Sequence, residues 1–170
     1  DLHEVGPAVS RLLREGHTYR GVGPADGLRQ ALGLDADPEV TGSVDLDDWP
    51  TAVASMGIAL VPLADTGFNA SKSHLKGLEA SACGVPWVAS PRAEYVRLQK
   101  TLGVGFLARK PKDWYRMVKR LAEDDQLRAE QSQAGREAAK DWTIEGNAYR
   151  WMEVWADAHR LQLHMQLTRV

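Results

Sequence analysis

Two near-continuous apolar runs, Ile58–Leu63 and Val85–Ala89, bracket one helical stretch and constrain the chain more than any other feature. A strand wet on one side alternates apolar with polar residues, whereas an unbroken apolar run suits a strand covered on both faces, as in a parallel sheet between helices. The polar residues between the runs then lie just beyond the carboxyl end of a strand, where such sheets keep their ligands.

Within that stretch Leu75, Leu78 and Ala82 form a narrow apolar stripe at helical spacing, and Lys72, Lys76 and Glu79 repeat on a neighbouring face. Gly84 and Pro86 stop the helix. Asn69 and Ser71 are candidate caps, which places the first free backbone N–H groups near Lys72 and Ser73. Like charges one turn apart, at the helix end whose dipole is already positive, cost roughly a few tenths of a kcal/mol. An anion reverses that cost: N–H groups, dipole, two ammonium groups and a hydroxyl converge as a phosphate or diphosphate site. The plainer alternative makes the lysines a solvated face with Glu79 paired to one of them. The loop Ala64–Ala70, glycine-containing and directly after a buried-looking strand, favours the anion site.

The rest of the chain alternates helix and strand. Leu2, Val5, Val9, Leu12 and Leu13 repeat at helix spacing, His17–Gly23 reads as a strand, and Pro24 opens a short helix through Leu32. Glu39–Val44 is a weaker strand, interrupted by glycine. A helix follows to Met56, capped by Asp45 or Asp47, and after the central stretch come a helix over Pro91–Lys100 and a strand over Val104–Leu107. From Pro111 only helices are predicted, the last carrying Tyr149, Met152, Trp155 and Ala156. Trp142, Trp151 and Trp155, stacked at helical spacing, read as packing residues rather than a ligand cage, or as an aromatic stripe made for a partner domain. The expected fold is α/β: a Rossmann-like, doubly wound parallel sheet flanked by helices. One domain spans 1–170, with a helical tail over 111–170. The chain opens at Asp1 inside a helical pattern, so a first strand is expected to precede it.

The 170 residues suit one core, and 44% hydrophobic with 26% charged residues is ordinary for a globular domain. A net charge of −2 gives no bulk attraction to nucleic acid. No transmembrane or secretory segment is visible, and the expected location is the cytoplasm. Cys83, the one cysteine, is read as a small buried thiol. His3, His17, His74, His159 and His164 show no metal-ligand spacing. His74 stands apart only by address beside Ser73, with surface or capping work set against contact with substrate.

The run FNASKSHLKGLEASACGVPWVAS, Phe68 to Ser90, resembles the donor-site signature in the C-terminal domain of two-domain, GT-B-fold glycosyltransferases of the family 4 or group 1 type. The resemblance implies transfer of a sugar from a nucleotide diphosphate sugar to a hydroxyl acceptor, with the acceptor half supplied by an N-terminal lobe of the same protein. Glu79 matches the last glutamate of the family's Glu-x7-Glu motif, which accepts hydrogen bonds from ribose hydroxyls. Ser71 stands where the family often has the first glutamate. Asn69, Lys72, Ser73 and Lys76 are implied to face the donor's phosphates and sugar, with Lys72 and Lys76 stabilising the leaving diphosphate. Asp65 to Phe68 would form a loop over sugar or acceptor, Gly67 allowing close approach. No cofactor or metal is implied; Asp65 alone does not make a cation site. Two alternatives share this sequence: a nucleotide-sugar 2-epimerase-like enzyme and a non-catalytic nucleotide-binding or scaffolding module.

Overall fold

The computed structural model describes residues 1–167, with side chains through Leu161; His164 lies outside the described side chains. A 3-10 turn, Leu2–Glu4, leads into α1 (Gly6–Arg14), then β1 (Arg20–Val22), α2 (Leu28–Leu32), β2 (Glu39–Thr41), α3 (Trp49–Ala54) and β3 (Ala59–Val61). There follow α4 (Gly67–Ala70), α5 (Leu75–Ala82), β4 (Trp87–Ala89), α6 (Ala93–Leu102) and β5 (Phe106–Leu107). The remaining elements are α7 (Pro111–Glu123), α8 (Asp125–Ala139), a 3-10 turn at Lys140–Trp142, and α9 (Ile144–Leu167). The expected α/β alternation and the switch to helices at Pro111 are both present.

Every strand pairing is parallel, but the sheet is in two parts: β1 with β2, and β3–β4–β5. The Ala59 N–H donates to the Pro86 carbonyl and the Ser90 N–H to that of Val61, so the alternate residue, Leu60, turns its backbone groups away from β4. Gly23 N–H donates to the Thr41 carbonyl, which likewise turns Val22 away from β2. A cavity of about 830 Å³ is lined by both strands, with Val9 and Leu12 of α1 and Val53 and Ala80 of α3 and α5 also in its wall. That opening explains why Ile58, Ala59 and Leu60, read as covered on both faces, are only half-buried. Val88 and Ala89 of the central strand are 0% exposed.

Side-chain alternation along β4 divides the core. Trp87 and Ala89 join Tyr95, Leu98 and Val104 toward α5 and α6, while Val88 joins Val5, Leu12, Trp114 and Leu121 toward α1 and α7. The Trp87 indole N–H donates to Ser81 Oγ at 2.9 Å, so its one polar atom is partnered inside the core. Gly105 lies at φ +86, and a Cβ there would sit 2.3 Å from the Trp87 ring.

Helices α7 and α8 pack back on the domain. Glu15 accepts from Lys119 Nζ at 2.7 Å and from the Tyr115 hydroxyl at 2.8 Å, joining the end of α1 to α7. The Lys119 ammonium, then the Tyr115 hydroxyl, hold the Glu15 carboxyl down at about 2. Gln131 of α8 accepts from the Gly105 N–H at 2.8 Å. Helix α9 behaves differently: Trp151 and Trp155, expected to pack, are each 65% exposed and lie against one another with centroids 6.2 Å apart. Tyr149, Met152 and Val154 on the same helix are exposed as well, so the domain covers none of these apolar side chains. Trp142, just before it, is 36% exposed and meets the His74 ring edge-on at 5.5 Å.

Candidate functional site

The carboxyl end of β3 is tied down before the polar loop begins. Ser90 Oγ, at the end of β4, accepts from the Leu63 N–H at 2.8 Å and donates to Glu4 Oε2 at 3.2 Å. Arg92 Nε donates to the Leu63 carbonyl at 3.1 Å, and the Arg92 guanidinium pairs with Asp65 at 2.5 Å. The loop then closes on Asp1, whose Oδ1 accepts from the Ala64 N–H at 2.8 Å and from Asn69 Nδ2 at 2.6 Å. Asn69 also donates to the Ala64 carbonyl at 2.9 Å and is 4% exposed. Its amide is therefore engaged inside the loop, not turned outward to a ligand as expected.

The helix expected from Asn69 or Ser71 onward is interrupted. Thr66 Oγ1 accepts from the Asn69 N–H and caps α4, which ends after a single turn with Ser71 at φ −92 and ψ −2. Lys72 N–H is bonded to the Asn69 carbonyl, and α5 starts only at Leu75, with His74 as its cap residue. Lys72 and Ser73 thus lie in the connection, and the amides left over at the helix start are those of Leu75 and Lys76. The break follows from packing. Gly77 is buried against α6, where a Cβ would meet Leu98 Cδ2 at 2.9 Å, and His74 Nδ1 pairs with Glu94 Oε2 at 3.1 Å. These contacts fix the start of α5 while Asp1 fixes α4, and the chain between them cannot remain one helix.

The candidate residues consequently fall into two groups. Lys76 and Glu79, one turn apart on α5, line the cavity between β1 and β3 together with Gly21, Val22 and Pro24 from the carboxyl end of β1. Glu79 accepts from the Trp49 indole N–H at 3.3 Å, and not from a lysine. The second group surrounds Asp1: Lys72 Nζ is 3.4 Å from Asp1 Oδ2 and 5.1 Å from the centre of the Phe68 ring. Phe68 is 77% exposed, and Asp65, Gly67, Ser71 and Ser73 are exposed beside it. Cys83 is half-buried rather than buried; its thiol faces the Pro50 carbonyl at 3.6 Å and is pushed up chiefly by burial, then by the charge of Glu79.

Asp1, Trp49, Ser90 and Arg92 were not legible as site residues. Ser90 and Arg92 directly follow a buried strand, and the rule that ligand-facing residues gather at strand carboxyl ends could have flagged them. Asp1 and Trp49 carry no local signal, because their partners are remote in sequence. Among the described residues no three His, Cys, Asp or Glu side chains converge as a cation site, and no helix is long and apolar enough to cross a membrane.

No curated protein matches the chain in sequence. Among solved structures, it is similar to the sucrose-phosphate synthase of Thermosynechococcus elongatus at TM-score 0.69 and 16% identity, covering 95% of this chain and 44% of that one. It is also similar to WaaG, a glycosyltransferase involved in lipopolysaccharide biosynthesis, at TM-score 0.63 and 16% identity over 81% of this chain and 38% of that one. The GtfA/B complex gives TM-score 0.65 and 16% identity over 92% and 33%. The chain therefore spans less than half the length of each of these proteins, and the likeness is one of fold. The model for "Glycosyl transferases group 1" matches residues 3–124, from the opening turn through α7 and across the whole loop-and-helix segment between β3 and β4. On that match the chain belongs to the group 1 glycosyl transferases.

Proposed function

We propose that this chain is the donor-binding half of a cytoplasmic, two-lobed glycosyltransferase that takes a nucleotide diphosphate sugar and passes its glycosyl unit to a hydroxyl acceptor. The observation that carries the reading is the meeting of Lys76 and Glu79 on one cavity wall beside the carboxyl end of β1. A carboxylate only accepts hydrogen bonds, and the two hydroxyls of ribose donate, so Glu79 suits the nucleoside. Lys76, one turn nearer the helix start and beside its unpaired amides, suits the diphosphate. In the transfer the bond from the anomeric carbon to the diphosphate oxygen breaks and its electron pair leaves with the diphosphate. The acceptor oxygen bonds to that carbon and gives up its proton to a base or to water. Lys76 and the amides of the α5 start balance the charge growing on the diphosphate.

Lys72, balanced by Asp1, is the second cation, at the rim where Asp65, Gly67, Phe68, Ser71 and Ser73 present an exposed loop to the sugar and to the acceptor lobe. Asn69 holds that loop in shape. The second lobe fits one further feature, the uncovered aromatic side chains of α9.

Calorimetry on the full-length protein with UDP, GDP and ADP is the test. Binding of one of them, weakened by Glu79→Ala, is expected; no binding of any of the three refutes the proposal.

A further inference from the structure

We infer that Trp49 is a positioning residue for Glu79, holding the carboxylate in the one orientation that can accept from both ribose hydroxyls; this deepens the donor-binding reading and rests on it. Trp49 opens α3 and packs against the core cluster of Val53, Val61 and Ala80. Its indole is therefore held by bulk before any polar contact is made. From that platform Nε1–H donates to Glu79 Oε2 at 3.3 Å.

Glu79 has several side-chain torsions and is only partly covered, so an untethered carboxylate would sample many rotamers. The indole is suited to hold it for two reasons. It is uncharged, so Glu79 keeps its full negative charge for the ligand, which a lysine partner would have partly cancelled. It is also a donor only, and cannot accept a bond from the ribose hydroxyls that Glu79 is there to take. Oε1 takes no protein donor among the described residues and remains for the vicinal diol. A second contact keeps the register between the helices: Cys83 Sγ donates to the Pro50 carbonyl at 3.6 Å, one turn along α5 from Glu79.

The experiment compares each nucleoside diphosphate with its 2′,3′-dideoxy form on the full-length protein, using the uridine, guanosine and adenosine pairs. The ratio of the two affinities isolates the ribose contact, because any stacking or packing by the indole acts equally on both members of a pair. Trp49→Phe, which keeps aromatic bulk and removes the N–H, is expected to cut the preference for the ribose form about tenfold, the scale of a hydrogen bond to a charged group. Dideoxy affinity should stay unchanged. Made on top of Glu79→Ala, the same substitution should change the ratio no further.

An equal loss for both forms, an unchanged ratio, or tighter ribose binding overturns the inference. Glu79→Ala separates the two levels. If it leaves the ribose preference intact, the donor-binding reading itself falls; if it abolishes the preference while Trp49→Phe does not, only the role of Trp49 falls. Should Trp49→Phe melt early, the indole N–H resonance of the unmodified protein supplies the test: it should shift on Glu79→Gln and be slow to exchange with solvent. Free exchange would sink the inference.

Discussion

Replacing Ser90 by alanine tests whether the end of β3 is held as described. Ser90 is 1% exposed, and its hydroxyl joins three segments: it accepts from the Leu63 N–H at 2.8 Å and donates to Glu4 Oε2 at 3.2 Å. Leu63 is 6% exposed, so in Ser90→Ala its N–H is left without a partner where water does not readily reach. An unsatisfied buried donor costs about 1–3 kcal/mol, and the lost bond to a carboxylate adds to it, so a total of about 2–3 kcal/mol is expected. For a chain of this size that corresponds to a fall in Tm of roughly 4–12 °C. Urea melts followed by tryptophan fluorescence would give the free energy from the midpoint shift, and hydrogen exchange would locate it. The Leu63 amide should lose protection while Val88, in the middle of β4, keeps its own. A loss below about 0.5 kcal/mol would refute the reasoning, since it would mean that the Leu63 N–H finds another partner at no cost.

Further outcomes follow from the same contacts. Gly105→Ala combines a positive φ with a Cβ 2.3 Å from the Trp87 ring, so a loss of about 2–5 kcal/mol is expected in chemical denaturation. Lys76→Met should weaken nucleoside diphosphate binding by roughly tenfold or more and reduce its salt dependence, while Lys72→Met, at the Asp1-balanced rim, does less; titration calorimetry at two salt concentrations would show the order. Glu15→Gln should cost stability in a pH-dependent way. The folded Glu15 carboxyl is held at about 2 against an ordinary 4.5, so its contribution is present above about 4.5 and disappears as pH falls through about 2. The Tm difference between wild type and Glu15→Gln should follow that window.

The fold was legible where one local pattern sufficed. The apolar runs around β3 and β4, the Gly84–Pro86 stop and the change of pattern at Pro111 each appear within a few residues. The site was legible only in part. That Lys76 and Glu79 share a face could be read from spacing, whereas the break after Ala70 could not: it depends on Asp1 reaching Asn69 and on Gly77 fitting against Leu98. Those contacts exist only after the sheet has brought remote segments together. The tryptophans of α9 failed for a related reason: Trp151 and Trp155 do share a face at helical spacing, but whether the domain covers that face depends on where the helix runs, which no local pattern records.

The split sheet has a consequence for how the molecule comes apart. Among the described residues no strand ladder joins β1 and β2 to β3, β4 and β5, so the first pair depends on packing between α1 and α2, where Leu32 lies against the α1 cluster. Non-directional contacts of that kind yield before a continuous ladder does. Under mild denaturant the 170-residue chain by itself should open from Arg20 to Thr41 as a separate cooperative unit while the three-stranded ladder around Val88 stays closed, and a strand bonded between β1 and β3 would abolish that early opening.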